Sequence, residues 1–317
     1  MNTQSTLLTA ALLAATAVSS RGQVVEPAGA PASGAQSAAS IPDFSGMWAR
    51  ISFPGFELPL SGPGPLINRR RGPDGGPTVA AFIGDYSNPI LKPQAAEIVK
   101  RRGALEAGGV HAPSPRSYCW PGGVPFVFTN TGMQMLQQPD RITFLYNQDH
   151  EVRFVRMNEP HSVPLAPSWY GDSVAHYEGD TLVIDTIGVK IGPYAMVDVY
   201  GTPHTPALHV VERYRLVDYE IAKAAEERGA KENLSVPGDD TGLLRDPDYR
   251  GKGLQLEFTV EDDGVFTTPW TATVTYRRPS SLVGQWPENV CADNANAYDP
   301  HDRGKKAAVP TADEPDF

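Results

Sequence analysis

The segment LQLEFTV (254–260) alternates without a break. Leu254, Leu256, Phe258 and Val260 fall on one side, and Gln255, Glu257 and Thr259 fall on the other. A period of two is the repeat of a β-strand, and a strand with one apolar and one polar face half-buries itself in an antiparallel sheet. The same reading extends to RITFLYN (141–147), EVRFVRM (151–157), DTLVIDTIG (180–188), ALHVVERYRLV (207–217) and WTATVTYRR (270–278). The first two are separated by a short turn and form a predicted hairpin. Open sheet edges invite pairing with other chains, and closure removes them. The sequence therefore predicts a mainly β fold: an antiparallel β-barrel, lipocalin-like or a similar closed sheet, with one or two helices and an irregular N-terminal wrap.

The helices are at LKPQAAEIVKRRGALEAGG (91–109), where Pro93 suits the first turn and Gly108–Gly109 stops it, and at YEIAKAAEERGAKENL (219–234). Residues 52–90 are rich in the turn formers Gly and Pro and give the wrap. Residues 7–18 form an apolar run ending in small residues, too short to span a bilayer, and residues 1–22 read as a secretory signal although no Lys or Arg precedes the run. Residues 23–40, mostly Ala, Gly, Ser and Pro, read as a linker, 41–300 as a single barrel-like domain and 301–317 as a flexible tail. A periplasmic or secreted protein is expected. Its two cysteines, Cys119 and Cys291, allow one disulfide joining the start of the core to its end, or two unpaired thiols.

The net charge is −10, and the basic runs NRRRG (68–72) and VKRRG (99–103) are too short for a nucleic-acid footprint. No GxSxG elbow, GxGxxG turn or P-loop is present, so no nucleotide cofactor is expected. The expected partner is a small-molecule substrate, with no nucleic acid, no membrane span and no bound cofactor or metal.

The stretch PHTPALHVVERYR (203–215) holds the densest chemistry. Strand parity puts Leu208, Val210, Glu212 and Tyr214 on one face and His209, Arg213 and Arg215 on the other. Glu212 thus falls on the more apolar face. A carboxylate there is costly unless paired, so it is either a general acid or base with a raised pKa or the partner of an arginine such as Arg153 or Arg156. Asp185 interrupts the apolar strand TLVIDTIG and is either the orienting carboxylate of a histidine or a satisfied polar group. His204 lies between prolines in GTPHTP, and His161 has a similar setting in NEPHSVP. Histidine is the usual proton shuttle near neutral pH, and loops on rigid scaffolds often carry chemistry. His176 precedes YEGD, whereas His111, His150 and His301 fall in polar, turn or terminal segments and read as surface. The H-x4-H-x2-E spacing of His204, His209 and Glu212 cannot converge on a metal from a strand, which leaves only a site drawn from several strands, such as His161, His176 and His204.

The strings CWPGGVP, YEGDTLVIDTIG, GTPHTPALHVVERYRLVD, FTVEDDGVFTTPW and VCADNANAY, taken in order, resemble a family of exported, β-rich bacterial proteins without an assigned activity. The resemblance covers residues 41–300 and implies no function. His176-Tyr177, Asp263 and the helical stretch 219–234 depart from the family's pattern.

These readings converge on a cofactor-independent acid–base enzyme of lyase, isomerase or hydratase type, acting on a small, perhaps aromatic molecule. His204, Glu212, Asp185, His176 and His161 are the candidate catalytic residues. Arg213, Tyr214, Trp169, Tyr170 and Trp270 are the candidate substrate contacts, chosen because rings and one cation suit a ring-bearing or anionic ligand. The alternatives are a lipocalin-like binding protein and a metal-dependent hydrolase.

Overall fold

Alternation of apolar and polar side chains along a strand leaves one face to bury, and the chain buries it inside a curved sheet. The computed structural model describes residues 41–50, 55–70, 81–110, 112–130, 132–148, 151–232, 248–279 and 290–291. The signal, linker and tail segments expected at 1–22, 23–40 and 301–317 lie outside the described residues, as do His111, His150 and His301. Among the described residues the sheet has nine strands, β1 (Gly46–Ala49), β2 (Gly132–Gln137), β3 (Arg141–Tyr146), β4 (Val152–Met157), β5 (Asp172–Glu178), β6 (Thr181–Ile187), β7 (His209–Val217), β8 (Gly253–Glu261) and β9 (Trp270–Tyr276). They lie side by side in sequence order. Every neighbouring pair is antiparallel except β4–β5, which pairs in parallel over Arg156–Met157 and Val174–Ala175.

The sheet nearly closes into a barrel. Ala49 at the end of β1 exchanges two backbone hydrogen bonds with Arg277 just beyond β9, at 2.8 and 2.7 Å. Glu57, in the irregular segment after β1, exchanges two more with Thr273 of β9, each 3.0 Å. The wrap therefore satisfies backbone groups that an exposed edge strand would leave open.

Two helices flank the sheet. Helix α1 (Pro93–Ala107) begins with proline at its first turn and buries Ala95, Val99, Gly103 and Glu106. Helix α2 (Tyr219–Glu232) follows β7 directly and is held to the barrel by a buried Arg277–Glu226 salt bridge of 3.3 Å. No helix among the described residues is long and apolar enough to cross a membrane. Cys119 and Cys291 form a disulfide across 172 residues of sequence, with Cα atoms 5.4 Å apart. It fastens the chain end near Cys291 to the short turn that precedes β2.

The barrel interior is packed. Trp48, Phe144, Tyr146, Tyr214, Phe258 and Trp270 are buried there among aliphatic side chains. Phe144 and Tyr214 lie 5.5 Å apart, and Trp270 meets Phe258 edge-on at 5.9 Å. A lipocalin-type carrier keeps its interior for a ligand, whereas these rings fill theirs with one another.

Candidate functional site

A polar island in that interior is built around Glu212. Strands β6 and β7 pair so that Ile184 faces Glu212, and β4 delivers Arg153 from across the barrel. The guanidinium donates to both carboxylate oxygens, at 2.9 and 2.6 Å, and neither side chain has any solvent exposure. Arg153 also donates to Ser173 Oγ at 2.9 Å and Thr186 Oγ1 at 2.8 Å, and the Tyr214 hydroxyl donates to Glu212 at 3.1 Å. Burial opposes charge on Arg153, but Glu212 beside it outweighs burial and holds the guanidinium protonated above its ordinary range. Burial pushes the Tyr214 phenol well up, with the Glu212 charge adding to it. The Tyr146 hydroxyl lies beside Arg153 but outside hydrogen-bonding geometry. Of the two readings open for Glu212, the arginine pair is the one the structure holds. A carboxylate with both oxygens occupied and no opening to solvent has no route to a substrate proton.

The chemistry lies on the other side of the same strands. Asp185 of β6 points outward, and His209 of β7 points outward diagonally to it, because Asp185 pairs with Val211 two residues along. Residues offset by two across a strand pair are within reach of long side chains. His209 Nε2 lies 3.1 Å from both Asp185 oxygens. The exposed loop after β4 brings in His161, whose Nε2 is 3.0 Å from Asp185 Oδ1 and whose Nδ1 is 3.2 Å from Asp172 Oδ2 on β5. Asp172 also accepts from the Ser162 backbone N–H at 2.6 Å and from Arg156 at 2.8 Å. The result is a chain Asp172–His161–Asp185–His209, partly open to solvent along its length.

The electrostatics of that chain agree at both ends of its central contact. The hydrogen bond from His209 holds the Asp185 carboxyl below its ordinary value of 3.8, against the opposing effect of burial. The same bond raises His209 above its ordinary 6.5, again against burial. Both shifts favour the charged forms of the two groups. The other ring nitrogen, Nδ1 of His209, lies 3.6 Å from Glu261 Oε2, a longer contact than the two to Asp185.

The remaining candidates disperse. His204 is buried, its Nδ1 3.3 Å from the Thr205 carbonyl oxygen, and burial lowers its pKa. It takes no part in the hydrogen bonds of Glu212 or of the outer chain. Its loop is fixed by Asp262, which accepts from the Thr205 backbone N–H at 2.6 Å and from its hydroxyl at 2.8 Å. His176 is exposed and sits 3.2 Å from Glu178, which also pairs closely with Arg213. Arg213 is thus already matched by a carboxylate. His161, His176 and His204 do not meet, so the several-strand metal site drawn from them does not form. Among the described residues no group of three His, Cys, Asp or Glu side chains is placed to hold a metal ion.

The five expected substrate contacts also divide. Tyr214 and Trp270 are core, and Trp270 is enclosed by Phe56, Phe258 and Phe266. Tyr170 is half-buried and donates to Glu151 at 2.5 Å; burial, then the Glu151 charge, pushes its phenol far up. Trp169 is half-buried and joins a surface ring cluster, where its ring lies 6.0 Å from that of Trp120. His209 and Asp172 are the members of the outer chain that sequence reasoning left out. Parity already placed His209 outward, but its match to Asp185 depends on a register the sequence does not show. No protein-family model, no curated protein and no solved structure matches this chain, so fold and site rest on the geometry described.

Proposed function

We propose that the protein is an acid–base enzyme of lyase, isomerase or hydratase type, working at the Asp172–His161–Asp185–His209 chain on a small, ring-bearing molecule. The observation that carries this reading is one carboxylate, Asp185, held between two imidazoles on a solvent-facing wall of the barrel. A proton-transfer group needs a partner that fixes its orientation and a pKa near the working pH. Asp185 fixes Nε2 of His209 and keeps the ring protonated to a higher pH, which leaves Nδ1–H as the general acid. After giving up that proton, the neutral ring is the base that takes one back. His161 and Asp172 position Asp185 from the opposite side. The His161 loop runs along the end of β6 to Trp169, where Ser168 exchanges backbone hydrogen bonds with Gly188 and Lys190. The Cys119–Cys291 disulfide supports a place in an oxidising compartment.

The test is exchange of carbon-bound protons into D2O, followed by NMR across a panel of small aromatic carbonyl compounds and hydroxy acids. On any compound the wild type exchanges, His209→Ala and Asp185→Asn should each lower the rate roughly 10²-fold or more, the usual size of a general acid–base contribution. His176→Ala, outside the chain, should leave it unchanged. Failure of the wild type to exchange any of them, or full activity in both variants, removes the reading.

A further inference from the structure

At the end of β6 four rings form one surface cluster. Tyr118 and Tyr194 stack nearly parallel at 4.8 Å. Trp120 tilts against both, at 5.6 and 5.9 Å, and against Trp169 at 6.0 Å. The Lys190 ammonium lies over the Trp169 ring at 5.0 Å, and among the described residues no carboxylate pairs with it. Apolar side chains project beside these rings. Val163 is 96% exposed and Ile191 48% exposed. Leu165, also exposed, reaches Gly188, where an added Cβ would meet its side chain at 3.0 Å. Lys190 bonds back to Ser168 at 2.7 Å, so the 163–169 and 188–194 segments present these groups side by side.

The cluster is firmly built. Gly123 adopts φ +71°, and a Cβ there would lie 2.7 Å from the Trp169 carbonyl oxygen, so the 120–123 turn packs directly on the Trp169 backbone. Cys119, between Tyr118 and Trp120, anchors that turn through the disulfide. Such rigidity lowers the ordering cost of binding.

We infer that this face docks on a lipid surface of zwitterionic headgroups. Lys190 lies over the Trp169 ring and Trp120 tilts against Tyr118, Tyr194 and Trp169, so the rings engage one another while the aliphatic tips of Val163, Leu165 and Ile191 project, unlike a stacking platform for a sugar. Rings with an apolar body and a polar tip settle at the boundary between hydrocarbon and water, and a lysine beside them reaches its charge toward phosphate. An exposed patch that mixes aliphatic and aromatic groups under a polar rim marks an interaction site. Charge selects the lipid: one free lysine on the patch, on a chain of net −10, gives no attraction to an anionic membrane.

The experiment is sedimentation of the full chain with phosphatidylcholine vesicles, with tryptophan emission followed in parallel. Trp48 and Trp270 are buried, so within the described residues a blue shift reports Trp120 and Trp169. Wild type should pellet with the vesicles and shift to the blue. Val163→Ser/Ile191→Ser, two substitutions at exposed sites that leave the core untouched, should weaken partitioning at least tenfold without changing the melting temperature. Absence of binding, a strict requirement for anionic lipid, or binding unchanged in the double variant would overturn the inference. So would a blue shift produced without lipid by raising protein concentration, or by soluble oligosaccharides in place of vesicles.

Discussion

Arg153 and Glu212 face each other across the barrel interior, joined by two hydrogen bonds of 2.9 and 2.6 Å with no water access to either. Removing one partner strands the other as an unpaired buried charge or donor set. We expect Glu212→Gln or Arg153→Met to destabilise the fold by about 3–5 kcal/mol. The double substitution Arg153→Met/Glu212→Leu should cost much less than the sum of the two, because it removes both charges and keeps apolar volume. Urea unfolding of the three variants gives the comparison directly.

The Asp185–His209 contact should respond to pH. His209 is raised above 6.5, so its contribution to stability is complete below that value and is lost as pH rises through the raised one. Asp185 is lowered below 3.8, so its contribution is complete above that value and is lost as pH falls through the lowered one. The contact is therefore strongest between 3.8 and 6.5. An NMR titration of the His209 ring should give a value above the ordinary one in the wild type and a lower one in Asp185→Asn. An unchanged value in the variant would mean the two side chains do not interact in solution.

The disulfide closes a loop of 172 residues. Cross-links of that kind stabilise mainly by restricting the unfolded chain, typically by about 2–4 kcal/mol. Cys291→Ser should lower stability by that order in thermal unfolding, and the wild type in strong reductant should match it.

Gly123 holds φ +71° with the Trp169 carbonyl oxygen 2.7 Å from where a Cβ would stand. Gly123→Ala should destabilise by more than about 1 kcal/mol, through an unfavourable backbone angle together with a clash. Gly62, also at positive φ but with open space around it, should tolerate alanine better in the same urea assay.

Much of the barrel is legible as alternation. The six strands read from the sequence all form, with ends shifted by at most two residues, and both helices form where the formers and stops place them. The parity of 207–217 also holds, with Glu212 and Tyr214 inward and His209 and Arg213 outward. Three strands escape the reading. GMWA (46–49) and GMQMLQ (132–137) hold few β-branched residues, and DSVAHYE (172–178) carries its outward polar groups too densely to show a face. The parallel β4–β5 pair escapes for another reason. A parallel step needs a longer connection, and the proline-rich 158–171 segment reads as loop whichever way the next strand runs.

The amino-acid sequence by itself determined which residues could be buried and which side of each strand they take, because a two-residue period follows from backbone geometry alone. For Glu212 it left two readings, a general acid or base or the partner of an arginine such as Arg153 or Arg156, since an unpaired carboxylate is costly in an apolar core. Tertiary structure decided the rest. Register set His209 against Asp185, and the path of one loop set His161 between Asp185 and Asp172. Ring closure turned Tyr214 and Trp270 into core while leaving Trp169 at the rim. Those outcomes depend on contacts between residues far apart in the chain, where local periodicity carries no information about which strand lies next to which, or in what register.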